Sequence, residues 1–171
     1  MHSAQRVVLI GPMGAGKTTL GTAVAKELGW AYFDNDGEMT KRYHHSQAEL
    51  SAMPVPELHA LESRYLADVL KEDAPLITGA AASVVDYPEN RELLKSITAI
   101  YLRIPVEQVI ARAGGTGVGR QALAENGTSI LTERYERRDP LYKECAKLVL
   151  ELGNSPEADT KKLADYLRAL S

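Results

Sequence analysis

The stretch Gly11-Pro-Met-Gly-Ala-Gly-Lys17-Thr18 decides the fold. It follows the apolar run at residues 7–10 and opens a helical pattern over residues 17–28, so it joins a strand to a helix. The spacing G-x-x-x-x-G-K-[ST] in that position is typical of a P-loop, in which backbone N–H groups surround phosphate oxygens. The sequence therefore predicts a nucleotide phosphate site at the start of this helix.

Each part of the loop has a predicted task. Its glycines let N–H groups turn inward, and the helix N-terminus adds a partial positive charge. Lys17 is predicted to neutralise the β- and γ-phosphates of ATP, and the Thr18 hydroxyl to bind Mg²⁺. The loop residues predicted to bind the nucleotide are Gly14, Ala15, Gly16, Lys17, Thr18 and Thr19. A P-loop alone leaves open whether the chain is a kinase, a GTPase or a motor ATPase.

Strand and helix patterns alternate outward from the loop. We predict strands at residues 7–10, 31–33, 76–78, 99–102 and 147–152, and helices at 57–70, 89–95, 106–111, 130–136 and 157–170. Short connections between them imply right-handed crossovers, hence a three-layer α/β/α sandwich around a mostly parallel sheet. The whole chain, residues 1–171, is predicted to be a single domain, with ligands at the carboxyl ends of the strands.

Composition and charge exclude several classes of partner. The chain has 171 residues, of which 44% are hydrophobic and 25% charged, as expected for one globular domain. Its net charge of -3 offers no general attraction to nucleic acid or to anionic membranes. No signal peptide or long apolar run is present, so we expect a cytoplasmic protein. The single cysteine, Cys145, is predicted to be a structural thiol.

Two carboxylates follow the second predicted strand. Asp34 and Asp36 flank Asn35, and alternate side chains of an extended chain point to the same side. Such a pair could orient the waters of Mg²⁺ and accept the proton of an attacking hydroxyl. The competing interpretation is a solvated acidic turn. Proximity to a phosphate site favours the catalytic interpretation.

Three motifs together resemble the shikimate kinase family: the P-loop, Phe33-Asp-Asn-Asp36, and Arg138-Asp-Pro-Leu-Tyr142. The resemblance spans nearly the whole chain. It implies a P-loop fold like that of nucleoside monophosphate kinases, with a substrate-binding subdomain at about residues 37–65 and a lid at about 113–129. It also implies a monomer that phosphorylates the 3-hydroxyl of a small hydroxy acid, shikimate, with ATP and Mg²⁺ in aromatic amino-acid biosynthesis.

The resemblance also implies roles for single residues. Asp34 would lie near Mg²⁺, and Asp36 would bind the substrate and activate the attacking hydroxyl. Arg138 would bind the substrate carboxylate, a task that suits a planar guanidinium. Arg120, in the glycine-rich segment, resembles the lid arginine that closes over the transferred phosphoryl group.

The adenine side of the nucleotide site is implied by the same resemblance. Arg112 would border the adenine. Asn154 and Pro156 belong to a segment that resembles the loop around the adenine, and the alternative interpretation is a turn that starts the last helix. Both interpretations stay open at this point.

Departures from the family pattern cluster on the acceptor side. Gly79-Ala80-Ala81 stands where the family has three glycines, and the added methyl groups are predicted to narrow the site around Gly79 and Ala80. His59 stands where the family has the arginine of an Arg-x-x-Glu pair. We expect it to contact the substrate, but without the fixed positive charge of an arginine, because histidine is mostly uncharged near neutral pH. Met53-Pro-Val-Pro56 also replaces a Gly-Glu pattern.

These changes leave two alternatives to a shikimate kinase. The first is a related kinase for another small polyol or hydroxy acid. The second is a nucleotide-binding relative without catalysis.

Overall fold

A computed structural model describes residues 5–112, 127–153 and 155–170. In these residues five parallel strands form one sheet, in the order β2-β3-β1-β4-β5. The strands are β1 (Arg6–Ile10), β2 (Ala31–Phe33), β3 (Leu76–Gly79), β4 (Thr98–Arg103) and β5 (Leu148–Glu151). The predicted parallel sheet is therefore confirmed, and the strand that leads into the P-loop is its central one.

Helices connect the strands. They are α1 (Lys17–Leu28), α2 (Asn35–Tyr43), α3 (Gln47–Ala52), α4 (Val55–Val69), α5 (Pro88–Lys95), α6 (Val106–Arg112), α7 (Gly127–Cys145) and α8 (Pro156–Leu170). A 3-10 turn at Ala82–Asp86 follows β3. None of the helices in the described part of the chain has the length and apolar character needed to cross a bilayer.

One face of the sheet is covered by α1 and α8. Val7 and Leu9 of β1 belong to a buried cluster that includes Val24 of α1 and Leu163 and Leu167 of α8. Alternate residues of a strand point to opposite faces, so these two side chains share one face of β1. Both side chains are 0% exposed. Their burial fixes which face of the central strand packs against α1.

The other face is covered by α4, α5 and the end of α7. Val8 and Ile10 of β1 pack in a second cluster with Leu66, Leu94 and Tyr142, one residue from each of these helices. Helices thus cover both faces, which confirms the predicted three-layer sandwich.

A third, smaller cluster holds the helices between β2 and β3. Met39 of α2, Leu50 of α3, and Tyr65 and Val69 of α4 are buried together. Tyr65 Oη lies 2.8 Å from Thr78 Oγ1 and ties this cluster to β3. The segment therefore has its own small core at one edge of the sheet.

The predicted extended chain at Asp34 and Asp36 was wrong. Helix α2 begins at Asn35, with Asp34 as its N-cap and Asp36 in its first turn. An Asp34 carboxylate oxygen accepts a hydrogen bond of 3.0 Å from the Gly37 N–H. An aspartate in this position satisfies an N–H group that the helix leaves unpaired, which favours a helix start over an extended chain.

Helices α4 and α7 also differ from the prediction. Helix α4 begins at Val55 and not at residue 57, because Pro56 lies in the first turn, where its missing N–H costs nothing. Helix α7 runs from Gly127 through Pro140 to Cys145, whereas the predicted helix covered residues 130–136 and stopped before the proline. Tyr142 and Cys145 beyond the proline are 2% and 3% exposed, and their burial offsets the roughly 3 kcal/mol that an internal proline costs. Cys145 is a buried free thiol, as expected for a structural residue.

Gly21 of α1 lies against the ring of Tyr32 on β2. A Cβ at position 21 would overlap that ring and lie 3.1 Å from Leu9 Cδ1. Alanine normally stabilises a helix interior relative to glycine by about 1 kcal/mol. Here we expect Gly21→Ala to destabilise the protein by roughly 1–3 kcal/mol, because the core cannot accept the methyl group without moving β2.

Urea unfolding measures this difference, with Thr22→Ala at an exposed position of the same helix as the control. The control should be neutral or slightly stabilising. A Gly21→Ala protein more stable than the parent would show that the contact between α1 and β2 is loose.

Candidate active site

A cleft of about 530 Å³ lies at the carboxyl ends of β1, β2 and β3. The P-loop, the start of α2, α4, the 3-10 turn and α7 all contribute to its walls. It brings together many of the residues predicted from the sequence: Gly14, Ala15, Gly16, Lys17, Thr18, Thr19, Asp34, Asp36, His59, Gly79, Ala80 and Arg138. The topology thus assembles residues that are up to about 120 positions apart in the chain.

The P-loop has the backbone geometry of an anion site. Gly14 and Gly16 have φ of 82° and 92°, in the left-handed region that favours glycine. Gly16 is the N-cap of α1, and among the described residues no side chain caps this helix or places an acidic group in its first turn. The first N–H groups of α1 are therefore available to phosphate oxygens, and the helix dipole adds to the attraction.

Lys17 extends back along the loop. Its Nζ donates a hydrogen bond of 2.6 Å to the Gly11 carbonyl oxygen. Burial lowers the pKa of Lys17 to about 8, although the nearby carboxylates of Asp36 and Glu62 act to raise it. The lysine charge is therefore costly in the protein alone and would be stabilised by phosphate oxygens.

The two predicted ligands of Mg²⁺ are neighbours. Thr18 Oγ1 donates a hydrogen bond of 3.0 Å to Asp34 Oδ1. A hydroxyl and a carboxylate are oxygen ligands of the kind that Mg²⁺ takes. The described residues contain no group of three His, Cys, Asp or Glu side chains that could hold a metal. The pair therefore fits a Mg²⁺ ion that keeps water and phosphate oxygens as its other ligands.

Glu62 of α4 faces the cleft beside these groups. It is partly buried, and burial raises its pKa to about 7, with the Asp36 charge adding to the increase. Ser83 Oγ donates to Glu62 Oε1 at 3.4 Å. Glu62 had no predicted role, although its place in the Arg-x-x-Glu pattern of the family was the signal that could have found it.

His59 lies one turn before Glu62 on α4. Its Nδ1 is 2.6 Å from Tyr87 Oη, and the two rings meet edge to face. Burial lowers the pKa of His59, and the charge of Arg138 lowers it further. The imidazole is therefore uncharged near neutral pH.

Arg138 is held in place by an ion pair. Its Nε and Nη2 donate to the two carboxylate oxygens of Asp86 at 3.1 and 2.8 Å. The Arg138 side chain is 13% exposed and lies in the middle of α7, so it is not a solvated arginine at a helix end. Tyr142 Oη also donates to the Ala82 carbonyl oxygen at 2.6 Å. These three hydrogen bonds fasten α7 to the 3-10 turn.

Asp139 fastens the same helix to the sheet. It accepts hydrogen bonds from Tyr101 Oη at 2.5 Å and from Arg103 Nε at 2.9 Å, both on β4. Lys143 lies 3.1 Å from its other oxygen. Asp139 and Tyr142 of the predicted motif thus position α7, and Arg138 is the member that reaches the cleft.

The two alanines that stand in place of family glycines differ in burial. Ala80 lines the cleft but is only 3% exposed, and it packs in the same core cluster as Val8 and Ile10. Ala81 is partly exposed and immediately precedes the 3-10 turn. The methyl group of Ala80 thus contributes mainly to the core, and the expected narrowing of the cleft is left chiefly to Ala81.

Two described residues predicted for the adenine side, Arg112 and Pro156, lie outside the cleft lining. Arg112 ends α6 and donates a hydrogen bond to the Gly14 carbonyl oxygen, so it lies against the P-loop. Pro156 is the first residue of α8, and Ser155 Oγ accepts a hydrogen bond of 3.1 Å from the Ala158 N–H, which is a helix start. Arg120, Asn154 and residues 113–126 of the predicted lid lie outside the described residues.

Comparison with known proteins decides the family. Residues 13–168 match the family model described as shikimate kinase. The chain belongs to the shikimate kinase family. Membership makes it a kinase, a transferase of phosphoryl groups that uses ATP.

Individual members of the family show how far the likeness extends. The shikimate kinase of Streptomyces avermitilis is 32% identical over 164 residues, which is 95% of this chain and 95% of that protein. The shikimate kinase of Enterococcus faecalis is 32% identical over 168 residues, 96% of this chain and 99% of that protein. The structure of shikimate kinase from Acinetobacter baumannii in complex with shikimate matches with a TM-score of 0.80 at 28% identity, covering 96% of this chain and 91% of that one.

The raised pKa of Glu62 predicts a dependence of stability on pH. Burial favours the protonated carboxyl, so its pKa rises from 4.5 in the unfolded chain to about 7 in the folded protein. The contribution of Glu62 to the free energy of unfolding should therefore fall as the pH rises from about 4.5 to about 7, and stay low above that. We expect Glu62→Gln to be more stable than the parent by roughly 1–3 kcal/mol at pH 8, and by much less at pH 5.

Chemical unfolding of both proteins at the two pH values measures this change. Glu57→Gln, at an exposed position of α4, is the matched control and should show no such pH-dependent difference. An equal effect of Glu62→Gln at pH 5 and pH 8 would contradict the assigned burial of the charge.

Proposed function

We propose that this protein transfers the γ-phosphoryl group of ATP to the 3-hydroxyl of shikimate. The observation that carries the proposal is the cleft itself, which places a P-loop, an acidic pair and an arginine of α7 around one space. Lys17, Asp36, Glu62 and Arg138 line the same cleft, so these groups can act on one substrate. The A. baumannii enzyme of the same family was solved with shikimate bound, which supports this choice of acceptor.

The nucleotide end of the cleft would bind the triphosphate. N–H groups of the P-loop and of α1 would donate hydrogen bonds to the phosphate oxygens, and Lys17 would neutralise the β- and γ-phosphates. Thr18 and Asp34 would hold Mg²⁺, which when bound adds further neutralisation of the phosphate charge. These groups stabilise the charge that develops on the transferred phosphoryl group.

The acceptor end would supply the base and orient the substrate. Asp36 is exposed in the cleft and would accept the proton of the 3-hydroxyl as that oxygen attacks the γ-phosphorus. The bond from the γ-phosphorus to the bridging oxygen breaks, and ADP leaves. Arg138 uses Nε and Nη2 for Asp86, so its remaining N–H groups would face the substrate carboxylate.

One observation favours a different acceptor as the second candidate. His59 is uncharged, and its Nδ1 is committed to Tyr87, so it offers no fixed charge to a carboxylate. A kinase for another small polyol or hydroxy acid would tolerate that change. A cytoplasmic location and a monomeric state stay predictions from the sequence.

Replacement of Asp36 tests the proposed reaction. Asp36→Asn keeps the size of the side chain but removes its ability to take the proton, so shikimate-dependent ADP release should fall by about 100-fold or more in kcat. The dissociation constant for ATP should stay within a factor of about three, because the P-loop is unchanged. Steady-state kinetics and titration calorimetry measure the two quantities.

Asp165→Asn, at an exposed position of α8, is the control and should retain the parent rate. A parental rate in Asp36→Asn would show that another group activates the acceptor. Tight ATP binding by the parent without turnover of any acceptor would favour the relative without catalysis.

The lowered pKa of Lys17 predicts that the protein takes up protons when ATP binds. Because burial lowers its pKa to about 8, much of the lysine is neutral at pH 9, and phosphate charges should restore its proton. We expect uptake of between about 0.5 and 1 proton per MgATP at pH 9, and almost none at pH 7, where Lys17 already carries its proton.

Calorimetric titrations in two buffers with different enthalpies of ionisation measure the number of protons. An apparent binding enthalpy at pH 9 that does not depend on the buffer would contradict the low pKa of Lys17.

A further inference from the structure

Arg134 lies on α7, one helical turn before Arg138, and lines the same cleft. Residues four apart share one face of a helix, so the two guanidinium groups approach the cleft from the same wall. Arg134 had no predicted role, although it lies within the helix predicted at residues 130–136, because it stands outside the Arg138-Asp-Pro-Leu-Tyr142 motif. Tertiary packing, which the motif does not encode, brings it to the cleft.

The neighbouring arginines of α7 already have anionic partners. Arg138 is paired with Asp86 through two hydrogen bonds. Arg137 lies 3.1 Å from Glu133 and 3.7 Å from Asp86. Their positive charges are thus largely balanced within the protein.

Arg134 differs from both. Within the described residues it forms no ion pair within 4.0 Å and no hydrogen bond through its guanidinium. The side chain is partly buried, and burial lowers its pKa, with Arg138 and Arg137 adding to the decrease. The charges of Glu133 and Asp86 partly oppose that decrease, but neither carboxylate is in direct contact with Arg134. A partly desolvated cation without a direct ion-pair or hydrogen-bond partner among the described residues, in a substrate cleft, is poised to bind an anion.

The α4 wall of the cleft does not offer an equivalent charge. His59 is uncharged near neutral pH, and the charges of both Arg138 and Arg134 act to lower its pKa. Arg134 and His59 line the same cleft, so both can contact one ligand. The cationic side chains of the described cleft lining are Lys17, Arg134 and Arg138, and Lys17 lies in the P-loop.

We propose that Arg134 determines acceptor specificity by binding the carboxylate of the substrate together with Arg138. It would supply from α7 the second positive charge that position 59 of α4 does not provide. The acceptors would then be small hydroxy acids with a carboxylate, in preference to neutral polyols. The inference rests on the proposed function, in that it takes the acceptor to be a hydroxy acid.

The test compares Arg134→Gln with the parent on two acceptors: shikimate, and shikimate amide, which lacks the charge. Loss of a charge-assisted hydrogen bond should raise the KM for shikimate by about 10- to 100-fold, with kcat changed by less than about threefold. The KM for the amide should change by less than about threefold, because it offers no charge to Arg134. A variant with an altered fold would instead show a similar change in KM for both acceptors.

Lys143→Gln is the matched control, since it removes a cation from the same helix at a position outside the cleft lining. It should leave both KM values within about threefold.

Moving the positive charge from α7 to α4 gives a second, independent readout. Arg134→Leu alone should weaken the binding of shikimate as strongly as Arg134→Gln does. Adding His59→Arg to Arg134→Leu returns a fixed charge to the cleft from α4, so it should recover at least about tenfold of the lost affinity. A double variant no better than Arg134→Leu would contradict a role for Arg134 as the second carboxylate ligand.

The outcomes separate this inference from the proposed function. An unchanged KM for shikimate in Arg134→Gln, with an active parent, overturns the inference and leaves the function intact. A parent that phosphorylates another carboxylate but not shikimate, with a raised KM in Arg134→Gln, overturns the acceptor assignment and supports the inference. A parent that uses neutral polyols alone, or that neither binds nor phosphorylates any hydroxy acid, overturns both.

Discussion

The contact between Gly21 of α1 and the Tyr32 ring of β2 sets the distance between the P-loop helix and the neighbouring edge of the sheet. Because no Cβ separates them, the end of β2 lies beside the first turn of α1. Asp34 can therefore accept the hydrogen bond of Thr18 while it caps α2. The cap in turn fixes the first turn of α2, which carries Asp36 into the cleft. A glycine that performs no chemistry thus controls where two carboxylates of the site lie.

Three sets of charged groups line the cleft. The P-loop and the uncapped end of α1 attract anions, the carboxylates of Asp34, Asp36 and Glu62 lie next to them, and the arginines of α7 line the cleft as well. Burial raises the pKa of Glu62 and lowers that of Lys17, so both groups can change their charge when a ligand replaces water. A substrate with a hydroxyl and a carboxylate matches this set of charged groups better than a neutral one does.

Residues in recognisable motifs could be predicted from the sequence. Residues that only tertiary packing brings to the cleft could not. The P-loop is local, since its glycines, lysine and threonine adopt their geometry within eight residues, and its place between β1 and α1 was predicted correctly. Asp34 and Asp36 were placed near the loop from an extended-chain argument, whereas the structure places them there through a helix start. Arg134 was missed although it lies within the helix predicted at residues 130–136, because tertiary packing, not a motif, turns this residue toward the cleft. Pro140 misled the prediction since the burial of Tyr142 and Cys145 outweighs its local cost.

In the proposed reaction one cleft holds the phosphates at the P-loop and the acceptor between Asp36 and the arginines of α7. A crystal structure of the protein with Mg²⁺, ADP and shikimate tests this arrangement most directly. We expect the 3-hydroxyl within hydrogen-bond distance of Asp36 and the carboxylate against Arg138 and Arg134. A shikimate molecule bound with its carboxylate away from α7, or outside the cleft, would contradict it.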